Sequence, residues 1–160
     1  MDKLDISRIS SELKLNDFIE AASKIEDVQV FDSDSVASRK HLELAFFHAQ
    51  EAFKENSNFA KSLKMEFLLR AAATRQIKVA IERCGVKDPK KVILVVWSIE
   101  KNKGNKEDVG SILSLLNADK LERWKADESY LISLYGLDKK RKTSIEDQII
   151  EKMVEVQIED

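Results

Sequence analysis

The stretch from Asn58 to Gly85, NFAKSLKMEFLLRAAATRQIKVAIERCG, constrains the fold more tightly than any other part of the chain. Phe59, Leu63 and Phe67 recur every four residues, and Met65, Leu68, Leu69 and Ala72 widen the apolar side beyond a single stripe. That breadth predicts a helix buried on more than one face. Glu66 precedes Arg70 by one turn, the favourable order for an i,i+4 ion pair. Ala71, Ala72 and Ala73 then carry no bulk that would hold neighbours away. The helix is therefore read as ending in a small-residue joint. Thr74 is placed to cap a second helix, whose inward face is Ile77, Ala80, Ile81 and Cys84. Gly85 is placed as its left-handed stop, with Pro89 soon after.

Arg70, Arg75, Gln76 and Lys78 gather around that joint. A helix starting near Thr74 aims its unpaired N–H groups and partial positive charge into it. Arg75 lies in the first turn, where a basic side chain is locally unfavourable. Two readings stand: a structural network in which a carboxylate such as Glu66 compensates the charge, or a site for an anionic ligand.

Elsewhere, LDISRIS reads as a weakly alternating first strand and VQVF, Val28 to Phe31, as a second. Phe18, Ile19, Ala22 and Ile25 fit a short helix between them. Asp32 or Asp34 is placed to cap a helix carrying Leu42, Leu44, Ala45, Phe47, Ala49, Ala52 and Phe53. KVILVVW, Lys91 to Trp97, is almost wholly apolar and β-branched, the mark of a central strand covered on both faces. KNKGNKED reads as a turn or loop. Ile112, Leu115 and Leu116 mark a helix, and Leu121 to Trp124 an edge strand. Tyr130, Leu131, Leu134 and Tyr135 mark another helix, stopped by Gly136. After an exposed DKKRK loop, Ser144 and Asp147 stand in capping-box positions ahead of Ile145, Ile149, Ile150 and Met153. Val154, Val156 and Ile158 alternate with Glu155, Gln157 and Glu159, which reads as a final strand. The expected fold is α/β: a single domain over residues 1–160, with a small mixed or antiparallel sheet packed by about six helices.

Composition narrows the function classes. Apolar residues at 43% and charged residues at 35% describe an ordinary soluble domain, and four glycines and one proline leave little room for linkers or repeat arrays. No apolar run approaches the roughly 20 residues that span a bilayer. MDKLDISRIS lacks the apolar core of a secretory signal, and the single cysteine fits a reducing cytoplasm. Net charge of −2 is no footprint of indiscriminate nucleic-acid binding. His41 and His48 lie about 10 Å apart along one predicted helix with no partner at metal spacing, so both read as structural and no metal is expected. Cys84 reads as a buried thiol. No nucleophile elbow, phosphate loop or dinucleotide fingerprint is present, and no cofactor is expected. DSDS, Asp32 to Ser35, lacks the glycine and terminal glutamate of a calcium loop. Lys139, Lys140, Arg141 and Lys142 form the densest basic run, read as a solvated loop or a phosphate contact.

Three spaced motifs carry a family resemblance. DSVASRKH, from Asp34 to His41, matches a D-x-V-A-x-x-x-H pattern. Asn58, Ala60, Met65, Glu66, Leu68, Arg70 and Ala71 match N-x-A followed by M-E-x-L-x-R-A. Arg75, Gln76, Ile77, Ala80, Ile81 and Gly85 match R-Q-I-x-x-A-I-x-x-x-G. On these the chain resembles the smallest peripheral subunit of the KEOPS complex (also called EKC), the family of the PRPK-binding protein and its archaeal relatives. The match is firm from about Asp27 to Asp88 and looser through the C-terminal helix. Ala72 and Ala73 stand where family members usually carry Ser-Gly.

The resemblance implies a non-catalytic role. The complex makes threonylcarbamoyladenosine beside the tRNA anticodon, with the chemistry on another subunit and a small kinase-like ATPase in support. The subunit similar to this chain docks on that ATPase, holds the single-stranded 3′ CCA end of tRNA, recruits the substrate and stimulates the complex. Carried onto this chain, the tRNA-end residues are Arg70, Arg75, Gln76, Ile77 and Lys78, with Lys40 and Lys64 as outer phosphate contacts. Arg75→Glu is expected to weaken tRNA binding with fold and ATPase docking intact. The C-terminal unit, Ile149, Ile150, Met153, Val154 and Val156, offers either an ATPase-binding surface or residues of the home core. Two other classes stay open: an adaptor that regulates a kinase-like partner without touching RNA, and a small hydrolase using Glu66 and a histidine.

Overall fold

Strand β1 (Asp5–Ser11) opens the element order, followed by α1 (Leu15–Ser23), β2 (Val28–Asp32), α2 (Arg39–Lys54), α3 (Leu63–Ala71) and α4 (Ile77–Cys84). Next come β3 (Val92–Val96), α5 (Val109–Leu115), β4 (Ala118–Leu121), α6 (Glu128–Tyr135) and α7 (Ile145–Ile158). The structure is a computed structural model that describes residues 4–97 and 108–158. Among these the fold is α/β, with seven α-helices and one four-stranded sheet, and it falls into two compact units.

The first unit spans residues 1–33 and 86–124. Its sheet has the order β2-β3-β1-β4, and every neighbouring pair is antiparallel. β3 is central as its composition predicts, with all five residues buried. The period of two puts Val92, Leu94 and Val96 on one face, where Ile9, Phe18, Val28, Ile112 and Leu116 complete a core. Asp108 caps the start of α5, its carboxylate accepting from Ser111 N at 2.7 Å. Most of the expected KNKGNKED loop lies outside the described residues. The edge strand runs over Ala118–Leu121 rather than Leu121 to Trp124. Asn117 turns at φ 49° directly after α5, so pairing of Ser11 with Ala118 begins at once.

The second unit spans residues 34–85 and 125–160 and is helical. α2 lies against α3 and α7, α4 against α3, and α6 against α7. Ser38, not Asp32 or Asp34, caps α2, because its hydroxyl is placed to accept from His41 N at 3.2 Å. Phe46 rather than Phe47 fills the core, edge-on to Phe67 at 5.2 Å, and Phe47 is 40% exposed. α6 ends as expected at Gly136, in the left-handed region at φ 63°.

The expected final strand is a correction. Residues to Ile158 continue α7, which Ser144 starts by accepting from Asp147 N at 3.1 Å. Ile149, Met153 and Val156 are buried at spacings of four and three, while Val154 and Ile158 turn outward. Alternation at three positions fits both periods, and the preceding helix decides between them.

Candidate functional site

The joint is built on a buried ion pair. Ser62 starts α3 by accepting from Met65 N, and the residues from Glu66 to Ala71 are then all buried, as the broad apolar side predicts. Glu66 Oε2 accepts from Arg70 Nε at 2.8 Å with both side chains at 3% exposure or less. Glu66 Oε1 accepts from the backbone N–H groups of Phe59 and Ala60, each at 2.7 Å. The carboxylate thus fastens the start of the segment to its own helix. Above it, the Arg70 guanidinium lies 4.0 Å from the Phe59 ring centroid.

α3 closes with a left-handed residue that is not glycine. Ala73 has φ 55°, Thr74 N donates to Leu69 O at 3.2 Å and Ala73 N to Arg70 O at 3.2 Å. That is the Schellman pattern, in which glycine usually holds the place that Ala73 takes here, because a Cβ is strained there. Ala73→Gly is expected to raise stability by about 1 kcal/mol, since a left-handed residue with a Cβ costs about 1–2 kcal/mol and the added chain entropy returns part of it. Urea unfolding of the two proteins measures this, and a destabilised variant would contradict it.

The last carbonyls of α3 are held from three sides. His41 Nε2 lies 2.8 Å from Ala71 O, and His41 Nδ1 accepts from Ala37 N at 3.1 Å, which fixes a neutral ring protonated on Nε2. Burial pushes the His41 pKa down from 6.5 to about 4, against smaller upward effects of the Ala71 hydrogen bond and Glu146. The Tyr135 hydroxyl reaches Ser35 O at 2.8 Å and Ala71 O at 3.3 Å, and Cys84 Sγ sits 3.2 Å from it. Arg83 Nη1 donates to Ala72 O at 2.6 Å.

Arg75 resolves the question of its compensation, and not through Glu66. Its Nε and Nη2 both donate to Val156 O, at 3.0 and 2.8 Å, and its guanidinium lies 4.6 Å from the Phe59 centroid. Because Arg75 holds the last turn of α7, its reversal to Glu is not neutral for the fold. The Thr74 hydroxyl accepts from Gln76 N at 3.1 Å instead of capping α4, which starts at Ile77 with no side-chain cap from Gln76. Ala80 and Cys84 face inward, but Ile77 and Ile81 are 48% and 51% exposed. Gly85 is extended at φ −65°, not left-handed. Glycine is needed there for space, since a Cβ would lie 2.5 Å from Ile81 O.

The expected tRNA-end residues therefore divide. Gln76, Ile77 and Lys78 stand exposed at the start of α4, Arg75 is half-buried beside them, and Lys40 is exposed in the first turn of α2. Lys64 is half-buried in the first turn of α3. Arg70 is withdrawn into the interior, which removes it from direct contact with a ligand on this surface. Of the expected partner-binding residues, Ile149, Met153 and Val156 are buried in the home unit. Ile150 is half-buried and Val154 is 45% exposed; with Ile158, 76% exposed, they form a stripe at four-residue spacing along α7.

Several participants escaped the sequence reading. Phe59 is the ring shared by two arginines, not a residue of the helical stripe. Gln148, buried on α7, exchanges hydrogen bonds with the Asp138 backbone at 3.0 and 2.9 Å and donates to Thr143 O at 3.1 Å. A glutamine inside the apolar pattern of α7 was the available signal. Arg141 pairs with Glu151 at 2.8 Å, which ties down one member of the basic run. Glu66 has its oxygens engaged by three N–H groups, an arrangement unsuited to taking a proton from a substrate. No group of three or more metal-ligating side chains occurs among the described residues. Nor is any described helix long and apolar enough to cross a membrane.

Comparison with known proteins relates the chain to a family model and to a curated relative. The family model described as kinase binding protein CGI-121 matches residues 7–155. The regulatory protein Cgi121 of Methanocaldococcus jannaschii is 42% identical over 60 residues, which is 38% of this chain and 39% of that protein. The matched segment thus spans well under half of the relative.

Proposed function

The chain belongs to the kinase binding protein CGI-121 family, and from that premise we propose that it is the non-catalytic tRNA-binding subunit of a cytoplasmic KEOPS complex. In this reading it docks on the kinase-like ATPase subunit, holds the single-stranded 3′ CCA end of tRNA and stimulates threonylcarbamoyladenosine formation. The observation that carries the reading is the start of α4. Gln76, Ile77 and Lys78 are exposed there beside Arg75, on a helix end that Gln76 leaves without a side-chain cap. N–H groups, two cations and an apolar side chain suit a phosphate and an unstacked base. With a net charge of −2, the attraction rests on this local cluster, so binding is expected to be modest and salt-sensitive. The stripe of half-buried Ile150 with exposed Val154 and Ile158 supports α7 as the docking helix.

Lys78→Glu tests the site without touching the core. Affinity for a short single-stranded RNA ending in CCA is expected to fall roughly tenfold at low salt and less at high salt. The melting temperature should hold, because the side chain is exposed. Unchanged affinity would overturn the site. The burial of Arg70 favours a second reading, an adaptor that regulates the kinase-like partner without RNA. Binding to the partner with no affinity for RNA would select it.

A further inference from the structure

Arg75 does more than border the joint. Its two donors to Val156 O, at 3.0 and 2.8 Å, reach into the last turn of α7. That turn contains no basic residue of its own, although the terminal carbonyls of a helix carry partial negative charge. The guanidinium is therefore a cap imported from 81 residues earlier in the sequence. The guanidinium also lies 4.6 Å from the Phe59 ring centroid, and that ring is in turn covered by Arg70, which Glu66 fixes. The same end of α7 leaves Val154 45% and Ile158 76% exposed.

We propose that Arg75 couples the α3–α4 joint to the last turn of α7, so that ordering either one preforms the other. When the turn is wound, Val156 O and Phe59 hold the guanidinium plane, and less side-chain freedom remains to be lost when a phosphate meets it. When the turn frays, that anchor is lost and the Arg75 guanidinium is held less firmly. A partner covering Val154 and Ile158 thereby tightens anion binding at the joint, and linkage makes the effect reciprocal. The identity of the anion as an RNA phosphate rests on the proposed function; the link between joint and helix does not.

Amide hydrogen exchange on the full chain tests the link in wild type, Arg75→Gln and Phe59→Leu, each alone and with a single-stranded oligoribonucleotide ending in CCA. Exchange at residues 154–158 is expected to quicken about fivefold in Arg75→Gln, the effect of losing a cation at a helix end, with β3 unchanged. Phe59→Leu keeps the charge but removes the ring, and a smaller quickening at the same amides is expected. In the wild type, the oligoribonucleotide should slow them. Wild-type exchange at residues 154–158 in both variants would overturn the coupling. Quickening in the variants with no RNA binding by the wild type would uphold the coupling and instead overturn the RNA reading.

Discussion

Glu66→Gln is expected to destabilise the protein by about 3–5 kcal/mol, the loss typical of breaking a buried ion pair from one side. Glu66 is fully buried and surrounded only by donors: Arg70 Nε and the backbone N–H groups of Phe59 and Ala60. An amide of the same shape must turn its NH₂ group toward at least one of them. The Arg70 guanidinium, 3% exposed, then keeps its charge without a counter-ion, and its Nη1 is already a buried donor with no hydrogen-bonding partner among the described residues. Urea unfolding at pH 7 measures the loss. Glu66→Leu with Arg70→Met is expected to recover much of it, since removing both charges removes the stranded one. A loss below about 1 kcal/mol for Glu66→Gln would mean that the pair contributes no more than a surface bridge.

Acid acts through His41. Its pKa is pushed from 6.5 down to about 4 by burial, so the unfolded chain takes up the proton first. The stabilising contribution of the neutral ring is whole above pH 6.5 and drains away as pH falls toward 4, a total of about 3 kcal/mol. Carboxylates titrate in part of the same range, so the informative quantity is the stability gap between wild type and His41→Gln. That gap is expected to shrink by about 2–3 kcal/mol between pH 7 and pH 4.5. A constant gap would show that the folded protein protonates His41 without penalty. Protonation removes the acceptor for Ala37 N while leaving the Ala71 contact, so the damage should begin at the start of α2.

The elements that were legible in the sequence are those in which local pattern and burial agree. β3 declared itself by five consecutive apolar residues, all buried. The i,i+4 spacing of Glu66 and Arg70 announced their pair, and Gly136 the end of α6. Other features depend on atoms distant in sequence. Nothing near Arg75 shows that its acceptor is Val156 O, and nothing near Gly85 distinguishes a need for space from a need for positive φ. Ile77 and Ile81 matched an inward stripe with Ala80 and Cys84, yet the smaller pair faces inward where α4 lies against α3. Spacing identifies a helix face without saying which way it turns. In the same way, Val154, Val156 and Ile158 satisfied a strand period that the well-capped α7 overrode. Of the site, the cluster around α4 was legible as a neighbourhood, and the withdrawal of Arg70 beneath Phe59 was not.

Binding of the purified protein to one tRNA species, with and without its terminal CCA, at two salt concentrations, tests the RNA-end role most directly. Tight binding to the intact tRNA alone, weakening at the higher salt, is the expected result. Equal binding to both RNAs, or binding to neither, would contradict a role in holding the 3′ end.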